Sequence, residues 1–210
     1  MRVVLASTSP RRRELLALLE IPFEVRSPAF EESVVPGRSA DDLVAYFSQG
    51  KARSVAKNDP EAIVLGSDTL IELEGAVLGK PVNLAEARAM LQRMAGREHL
   101  VHTAVTVTCL ARGIEMTQLS TARVQMKRFD AEVHERYLAT GDSLGKAGAY
   151  SIQGGGGELI ECLNGDFTTV VGLPLRVVAT LLEQAGLRIP VDLHVLYTEK
   201  PYENWVRFSG

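Results

Sequence analysis

The segment Ser7-Thr8-Ser9-Pro10-Arg11-Arg12 lies between an apolar run and a helix-like run, and its residue types suit phosphate. Ser9 is a natural N-cap and proline favours the first helical position, so a helix is expected to start at Pro10. The first N–H groups of a helix have no internal partner and lie at the positive end of its dipole, which draws anions. Arg11 and Arg12 add guanidinium forks that match phosphate oxygens, and Ser7 adds a hydroxyl. Taken alone, the segment reads better as a capped helix with solvated arginines, since capped helix starts are common.

Gly66-Ser67-Asp68-Thr69 directly follows the apolar run Ile63 to Leu65. In open α/β sheets ligands gather beyond the carboxyl ends of strands. An Asp placed there can hold a divalent metal or accept a proton from water, or it can simply make an Asx-turn. Glu31 and Glu32 form a carboxylate pair in a loop-like stretch, and Glu32 with Asp68 supplies the one or two carboxylates that a magnesium-type site needs. Lys51, on a helix-like run, and Lys80, in Gly79-Lys80-Pro81, are cations that could neutralise phosphate. Singly, each reads as a surface lysine. The run from Gly145 to Gly154 is rich in small residues around Tyr150 and Gln153. Small residues admit a ligand close to the backbone, and a glutamine amide both donates and accepts, as recognition of a base edge requires.

Other motifs fail. Gly141 to Ala147 resembles a phosphate-binding P-loop but has three residues between its glycines where four are needed, and Ala147 where a hydroxyl should bind magnesium. There is no nucleophile elbow. His99 and His102 are three apart on a strand-like run, so they face opposite sides. With His134 and His194 they form no metal or triad set and read as structural. Cys109 and Cys162 form no CxxC pair, which argues against structural zinc or a disulfide framework and suits a reducing compartment.

These residues need elements to position them. Val3 to Ala6 reads as a buried strand, and Leu15, Leu16, Leu18 and Leu19 give the first helix an apolar face. A second helix spans about Ala40 to Lys57 with Leu43, Val44, Phe47 and Val55 inward. After the strand at Ile63 to Leu65 comes a hairpin with Glu74-Gly75 at its turn. Asn83 and Glu86 have capping-box spacing before a helix carrying Ala87, Met90, Leu91 and Met94. Val101 to Leu110 and Thr117 to Phe129 read as paired strands across Arg112-Gly113. A helix covers Ala131 to Thr140, Leu159 to Cys162 is a short strand, and Pro174 to Ala185 is a late helix behind Gly172-Leu173-Pro174. Strands alternating with helices predict an α/β domain with a mixed sheet. The last twenty or so residues, with Tyr197, Tyr202 and Trp205, show no clear period; they either pack on the body or mediate association.

The 210 residues carry 46% hydrophobic and 23% charged residues with a net charge of -3. That is ordinary for a globular protein and argues against a nucleic-acid binder, which carries a basic surface. No apolar run reaches the roughly 18 residues of a membrane span, and the start of the chain does not read as a signal peptide. A cytoplasmic location is expected.

In their order, Ala6-Ser7-Thr8-Ser9-Pro10-Arg11-Arg12, Glu32, Lys51-Ala52, Gly66-Ser67-Asp68-Thr69, Gly79-Lys80-Pro81, Lys146 to Gly154 and Gly172-Leu173-Pro174 resemble the Maf family of nucleotide pyrophosphatases. The resemblance implies an elongated mixed sheet flanked by helices in two lobes with a central cleft, similar to the inosine triphosphate pyrophosphatases. Residues 1–188 would form that single domain, with 189–210 an extension that has no counterpart. The implied activity is hydrolysis of a nucleoside triphosphate to a monophosphate and pyrophosphate with Mg²⁺, Mn²⁺ or Co²⁺. By position, Asp68 is the proton acceptor and a metal-site residue, and Glu32 helps hold the metal. Ser7, Arg12, Lys51 and Lys80 hold phosphates, and Arg11, Thr69 and Gln153 match positions tied to base preference.

That last set resembles the branch acting on dTTP and UTP rather than the one acting on 7-methyl-GTP. The family also suggests a homodimer. A nucleotide-binding regulator of septum formation and division arrest is the competing role, but Asp68, Glu32 and Lys80 together favour catalysis. One position departs from the branch, which usually has Asp before Lys-Ala-Gly; here it is Gly145. Either the pocket lacks a carboxylate, or Asp142 replaces it, or the usual Asp only caps a turn that glycine makes unaided.

Overall fold

The computed structural model describes residues 1–33 and 37–208. Its strands are β1 (Val3–Ala6), β2 (Phe23–Arg26), β3 (Ile63–Leu73), β4 (Ala76–Leu78), β5 (Glu98–Cys109), β6 (Ile114–Met126) and β7 (Ile160–Asn164). Its helices are α1 (Pro10–Ala17), α2 (Ala40–Ala56), α3 (Leu84–Met94), α4 (Ala131–Ala139), α5 (Phe167–Val171), α6 (Leu175–Gln184), α7 (Leu193–Glu199) and α8 (Glu203–Arg207). The strands join in a seven-stranded sheet of order β2-β1-β3-β5-β6-β7, with β4 on β3. The sheet is mixed: β1 pairs in parallel with β2 and β3, whereas β3–β4 and β6–β7 are antiparallel. The α/β class with a mixed sheet flanked by helices is therefore as the alternation of patterns predicts. No helix among the described residues is long and apolar enough to cross a membrane.

The chain forms two compact units. The first gathers Met1–Thr69, Thr103–Ser120 and Gly172–Glu199. All four residues of β1 are buried, as befits a parallel strand covered on both faces. Val4 and Ala6 of β1 and Val64 of β3 share a core with Ala52, Val55 and Ala56 of α2. The N-cap Ser39 accepts a hydrogen bond from the Asp42 N–H, and Asp41 and Asp42 lie in the first turn, where the dipole favours them. A buried hydroxyl chain ties α2 to two strands: Ser48 meets Thr106 of β5 at 2.8 Å, and Thr106 meets Thr117 of β6 at 2.9 Å. Strand β2 has no sequence expectation behind it. It is four residues long and no residue of it is buried, so it shows no apolar alternation to read.

The second unit gathers Leu70–His102, Thr121–Val171 and Lys200 onward. Its β3–β4 hairpin turns at Glu74 and Gly75, both at positive φ (51° and 79°), the geometry of a two-residue hairpin turn. Helix α3 is capped as its spacing predicts: Glu86 N–H donates to Asn83 at 2.9 Å, and the Glu86 carboxylate accepts from the Val82 N–H at 2.8 Å. Asp130 caps α4 through the N–H groups of Glu132 and Val133. Ala87, Leu91 and Met94 are buried on α3, and His134, Tyr137 and Leu138 on α4.

Candidate active site

In the first unit, α2 lies directly on β3 because Gly66 has no side chain. A Cβ built there would meet Ser48 O at 2.5 Å and Ala52 N at 2.8 Å, both of them helix backbone. Lys51 lies on the buried side of α2, in phase with Val44, Phe47, Ser48 and Val55. That close approach brings its ammonium onto the Asp68 carboxylate, with which it forms a buried ion pair and hydrogen bond. The same ammonium pairs with Glu32 at 2.6 Å. The loop carrying Glu32 is seated by Phe30, whose ring lies against Gly50; an added Cβ at Gly50 would fall 2.1 Å from the ring edge. Phe30 also packs edge-on to Tyr46 at 5.7 Å. Three sequence-expected residues, Glu32, Lys51 and Asp68, thus converge. Glu31 and Glu32 are both exposed, and of the two it is Glu32 whose carboxylate reaches Lys51.

Asp68 is 4% exposed, and its Oδ2 is buried with no hydrogen-bond partner among the described residues. Loss of water raises its carboxyl above the ordinary carboxylate range, while Lys51 and Arg12 draw it back and Glu32 adds to the rise. A buried carboxylate with an open oxygen and a raised affinity for protons has the properties of a general base. It also fits a cation: the carboxylates of Asp68, on β3, and of Glu32, on its loop, already meet at one positive centre, the Lys51 ammonium.

Arg12 is fixed by residues far along the chain. Its Nε–H donates to the Gly172 carbonyl at 2.9 Å, and its Nη2 donates to Thr69 Oγ1 at 3.1 Å. Ser67 Oγ–H donates to the same Gly172 carbonyl at 3.0 Å. Gly172 has φ 112°, and a Cβ there would lie 3.0 Å from Thr69 Oγ1 and 3.5 Å from Arg12 Nε. The glycine of Gly172-Leu173-Pro174 is therefore required both by its backbone conformation and by the close approach of two side chains. Thr69 in turn meets the Thr103 hydroxyl at 2.9 Å. Desolvation lowers the Arg12 guanidinium despite the nearby Asp68 and Glu32 carboxylates.

At α1, Pro10 stands at the first helical position as expected, but the Ser9 side chain makes no cap bond. The buried Ser7 instead accepts from the Ser9 N–H at 3.1 Å. Arg11 is half-buried. The first unit therefore gathers Ser7, Arg11, Arg12, Glu32, Lys51, Asp68 and Thr69.

Lys80 and Gln153 belong to the second unit, Lys80 in an anchored loop and Gln153 in a turn. The Gly79 carbonyl beside Lys80 accepts from the Gly148 N–H at 3.1 Å. Gly148 has φ 65° and packs so closely that a Cβ would touch Ile71 at 2.8 Å. Lys80 is exposed and Gln153 half-buried. Lys146 is turned back onto Asp142, bonding its carbonyl and its carboxylate, the latter at 2.7 Å. Gly145 has φ 70° with nothing within 4 Å of a built Cβ. The backbone there favours glycine in its own right, whatever charge a carboxylate would bring.

The sequence matches the model of the family described as Maf-like protein over residues 2–185. The chain belongs to the Maf family. Among its relatives, the dTTP/UTP pyrophosphatase of Anaeromyxobacter dehalogenans is 45% identical over 90% of this chain and 96% of its own length. That of Moorella thermoacetica is 44% identical over 90% of this chain and 97% of its own. Among solved structures, the Staphylococcus aureus Ham1 protein aligns at 14% identity and a TM-score of 0.44, covering 60% of this chain and 72% of that one.

Several residues that build this Maf site have no expected role in the sequence: Ser67, Thr103, Gly172, and the Phe30–Gly50 contact. Lys51 had a readable signal. A lysine in register with the buried stripe of its helix has to leave solvent, and a buried ammonium needs carboxylates. The contact partners of Gly172 and Gly50 have no such signal, because they are set by tertiary approach.

Proposed function

We propose that this chain is a nucleoside triphosphate pyrophosphatase that hydrolyses dTTP and UTP between the α- and β-phosphates, releasing the monophosphate and pyrophosphate. The observation that carries the reading is Asp68: a buried carboxylate with one open oxygen, at a strand segment flanked by Lys51, Glu32 and the anchored Arg12. Relatives named for that activity at 44–45% identity support it.

Asp68 Oδ2 accepts a proton from the attacking water as its oxygen bonds the α-phosphorus; the α–β bridging oxygen departs with pyrophosphate. Arg12, held by Gly172 and Thr69, presents fixed donors to phosphate oxygens, and Ser7 and the N-terminus of α1 add a hydroxyl and N–H groups. Lys51 brings a further positive charge. No ordering cost is incurred at Arg12 on binding, because its guanidinium is already held. Glu32 and Asp68 would hold a divalent cation such as Mg²⁺, Mn²⁺ or Co²⁺, which neutralises phosphate charge and acidifies water when bound. By the family resemblance, Lys80 serves phosphate, and Arg11, Thr69 and Gln153 serve the base. Uracil and thymine present two carbonyl acceptors and one N–H donor, an edge that a glutamine amide and an arginine complement.

The test is a panel of nucleoside triphosphates with each divalent metal, read by product. Monophosphate plus pyrophosphate, with the highest kcat/KM for dTTP and UTP, is the expected result. Orthophosphate plus diphosphate rules the reaction out, and preference for GTP or 7-methyl-GTP rules out the base assignment.

A further inference from the structure

The family match ends at residue 185, yet the chain continues, and its last described helix returns to the loop that carries Gln153. Asn204 of α8 donates from one amide nitrogen to the Ile152 carbonyl at 2.6 Å and to the Gly154 carbonyl at 3.1 Å. These are the carbonyls of the two residues that flank Gln153. The amide also fills the space over Gly157, where a built Cβ would lie 2.6 Å from Asn204 Nδ2. Next to it Trp205, 1% exposed, stacks on Phe167 of α5 at 5.6 Å and 9°, and Tyr202 stacks on Trp205 at 6.4 Å. The aromatic stack anchors the helix, and the asparagine takes hold of the loop.

We infer that Asn204 is a positioning residue for Gln153, so that base selectivity in this chain depends on a segment beyond the family match. This rests on the proposed role of Gln153 in base recognition. The loop from Ser151 to Gly157 holds four consecutive glycines, Gly154 to Gly157, and has few side chains to define its path. Glycine-rich backbone is costly to order. A side-chain donor bridging the carbonyls of Ile152 and Gly154 holds the peptide plane before Gln153 and the one after Gly154, and so restricts the backbone between them, which carries the Gln153 side chain. Asn204 touches no reacting atom; it acts through the loop.

The experiment compares Gln153→Ala, Asn204→Ala, Asn204→Asp and the double variant Gln153→Ala/Asn204→Ala, all in the full chain. Asn204→Asp keeps the shape and removes the donor. Measured are kcat and KM for dTTP and GTP, thermal midpoints, and amide hydrogen exchange at Gly154 and Gly157, whose N–H groups bond within the loop to Ser151 and Gly154. The expected result is a loss of about tenfold in dTTP over GTP preference for both Asn204 variants, carried by KM for dTTP with kcat near the parent. Faster exchange at the two glycines should accompany it, and the double variant should be no less selective than Gln153→Ala alone. If Gln153→Ala alters selectivity but the folded Asn204 variants do not, the inference fails and the Gln153 assignment stands. If Gln153→Ala leaves selectivity unchanged, the Gln153 assignment itself fails. If an Asn204 variant does not fold, exchange in the other decides: unchanged protection at both glycines overturns the inference.

Discussion

Burial raises the Asp68 carboxyl, and the cations of Lys51 and Arg12 only partly offset it. A general base works deprotonated, so activity rises with pH as Asp68 loses its proton. The acid limb of kcat/KM is therefore expected above 3.8, the value of an ordinary Asp. Lys51 is the strongest influence in the lowering direction, so Lys51→Met should move the limb to higher pH at a fixed metal concentration. A limb that stays put would separate Lys51 from Asp68. Asp68→Asn keeps size and removes charge; it should cut turnover by at least ~100-fold with the fold retained, as seen by circular dichroism. Asp68 was legible from its place directly after the apolar run Ile63 to Leu65, but the strand does not end there as expected: β3 continues to Leu73 and Asp68 lies within it. Thr103 was not legible, since one threonine in a Thr-rich strand carries no mark of the partner it meets across the sheet. At Gly145 the positive φ makes the glycine a backbone requirement, so Gly145→Asp should cost about 1 kcal/mol in urea unfolding and leave turnover unchanged.

Helix α2 reaches Asp68 only because β3 offers it a bare backbone at Gly66. Gly66→Ala should force the two apart, costing about 1–3 kcal/mol by overpacking and lowering activity through the lost Lys51 contact. Unfolding midpoints and kcat measured together would test it; an active, fully stable variant is the contrary result. On β5, His99 is 2% exposed, bonds the Tyr150 hydroxyl at 2.8 Å and leaves its Nδ1 without a partner among the described residues. Burial pushes its pKa down to about 4 from the usual 6.5.

The unfolded chain thus takes up this proton first, so stability falls as pH drops below 6.5 and levels out below about 4. The loss across that window is about 3 kcal/mol at most, and His99→Gln should remove it from the pH dependence of urea unfolding. Helix α2 was legible from its apolar period, α3 from its period and its capping box, and β4 from its turn. Strand β2 and helices α7 and α8 were not. The strand has no buried residue, and the two helices are five to seven residues long, too short for a period to repeat.

At the scale of the whole molecule, neither unit is a continuous stretch of chain. The backbone passes from one to the other after Thr69, His102, Ser120, Val171 and Glu199. No single cut separates them, which is why composition and linker signals show no boundary. The last passage matters for stability, because it delivers Trp205 to Phe167. Trp205→Ala should cost about 3–5 kcal/mol, and truncation after Glu199 at least as much, both measurable by urea denaturation. A truncated chain as stable as the parent would show that the aromatic stack contributes nothing.

The anchoring of Arg12 has a consequence for how the protein is made. Its partner carbonyl on Gly172 lies 160 positions downstream, and Ser67 reaches the same carbonyl across 105. A chain leaving the ribosome at about 5–20 residues per second exposes Arg12 many seconds before its anchor is synthesised. Through that interval β1, α1, α2 and β3 can form, but the guanidinium stays unheld. The anchoring of Arg12 is thus a late event in the life of the nascent chain, withheld until Gly172 has emerged.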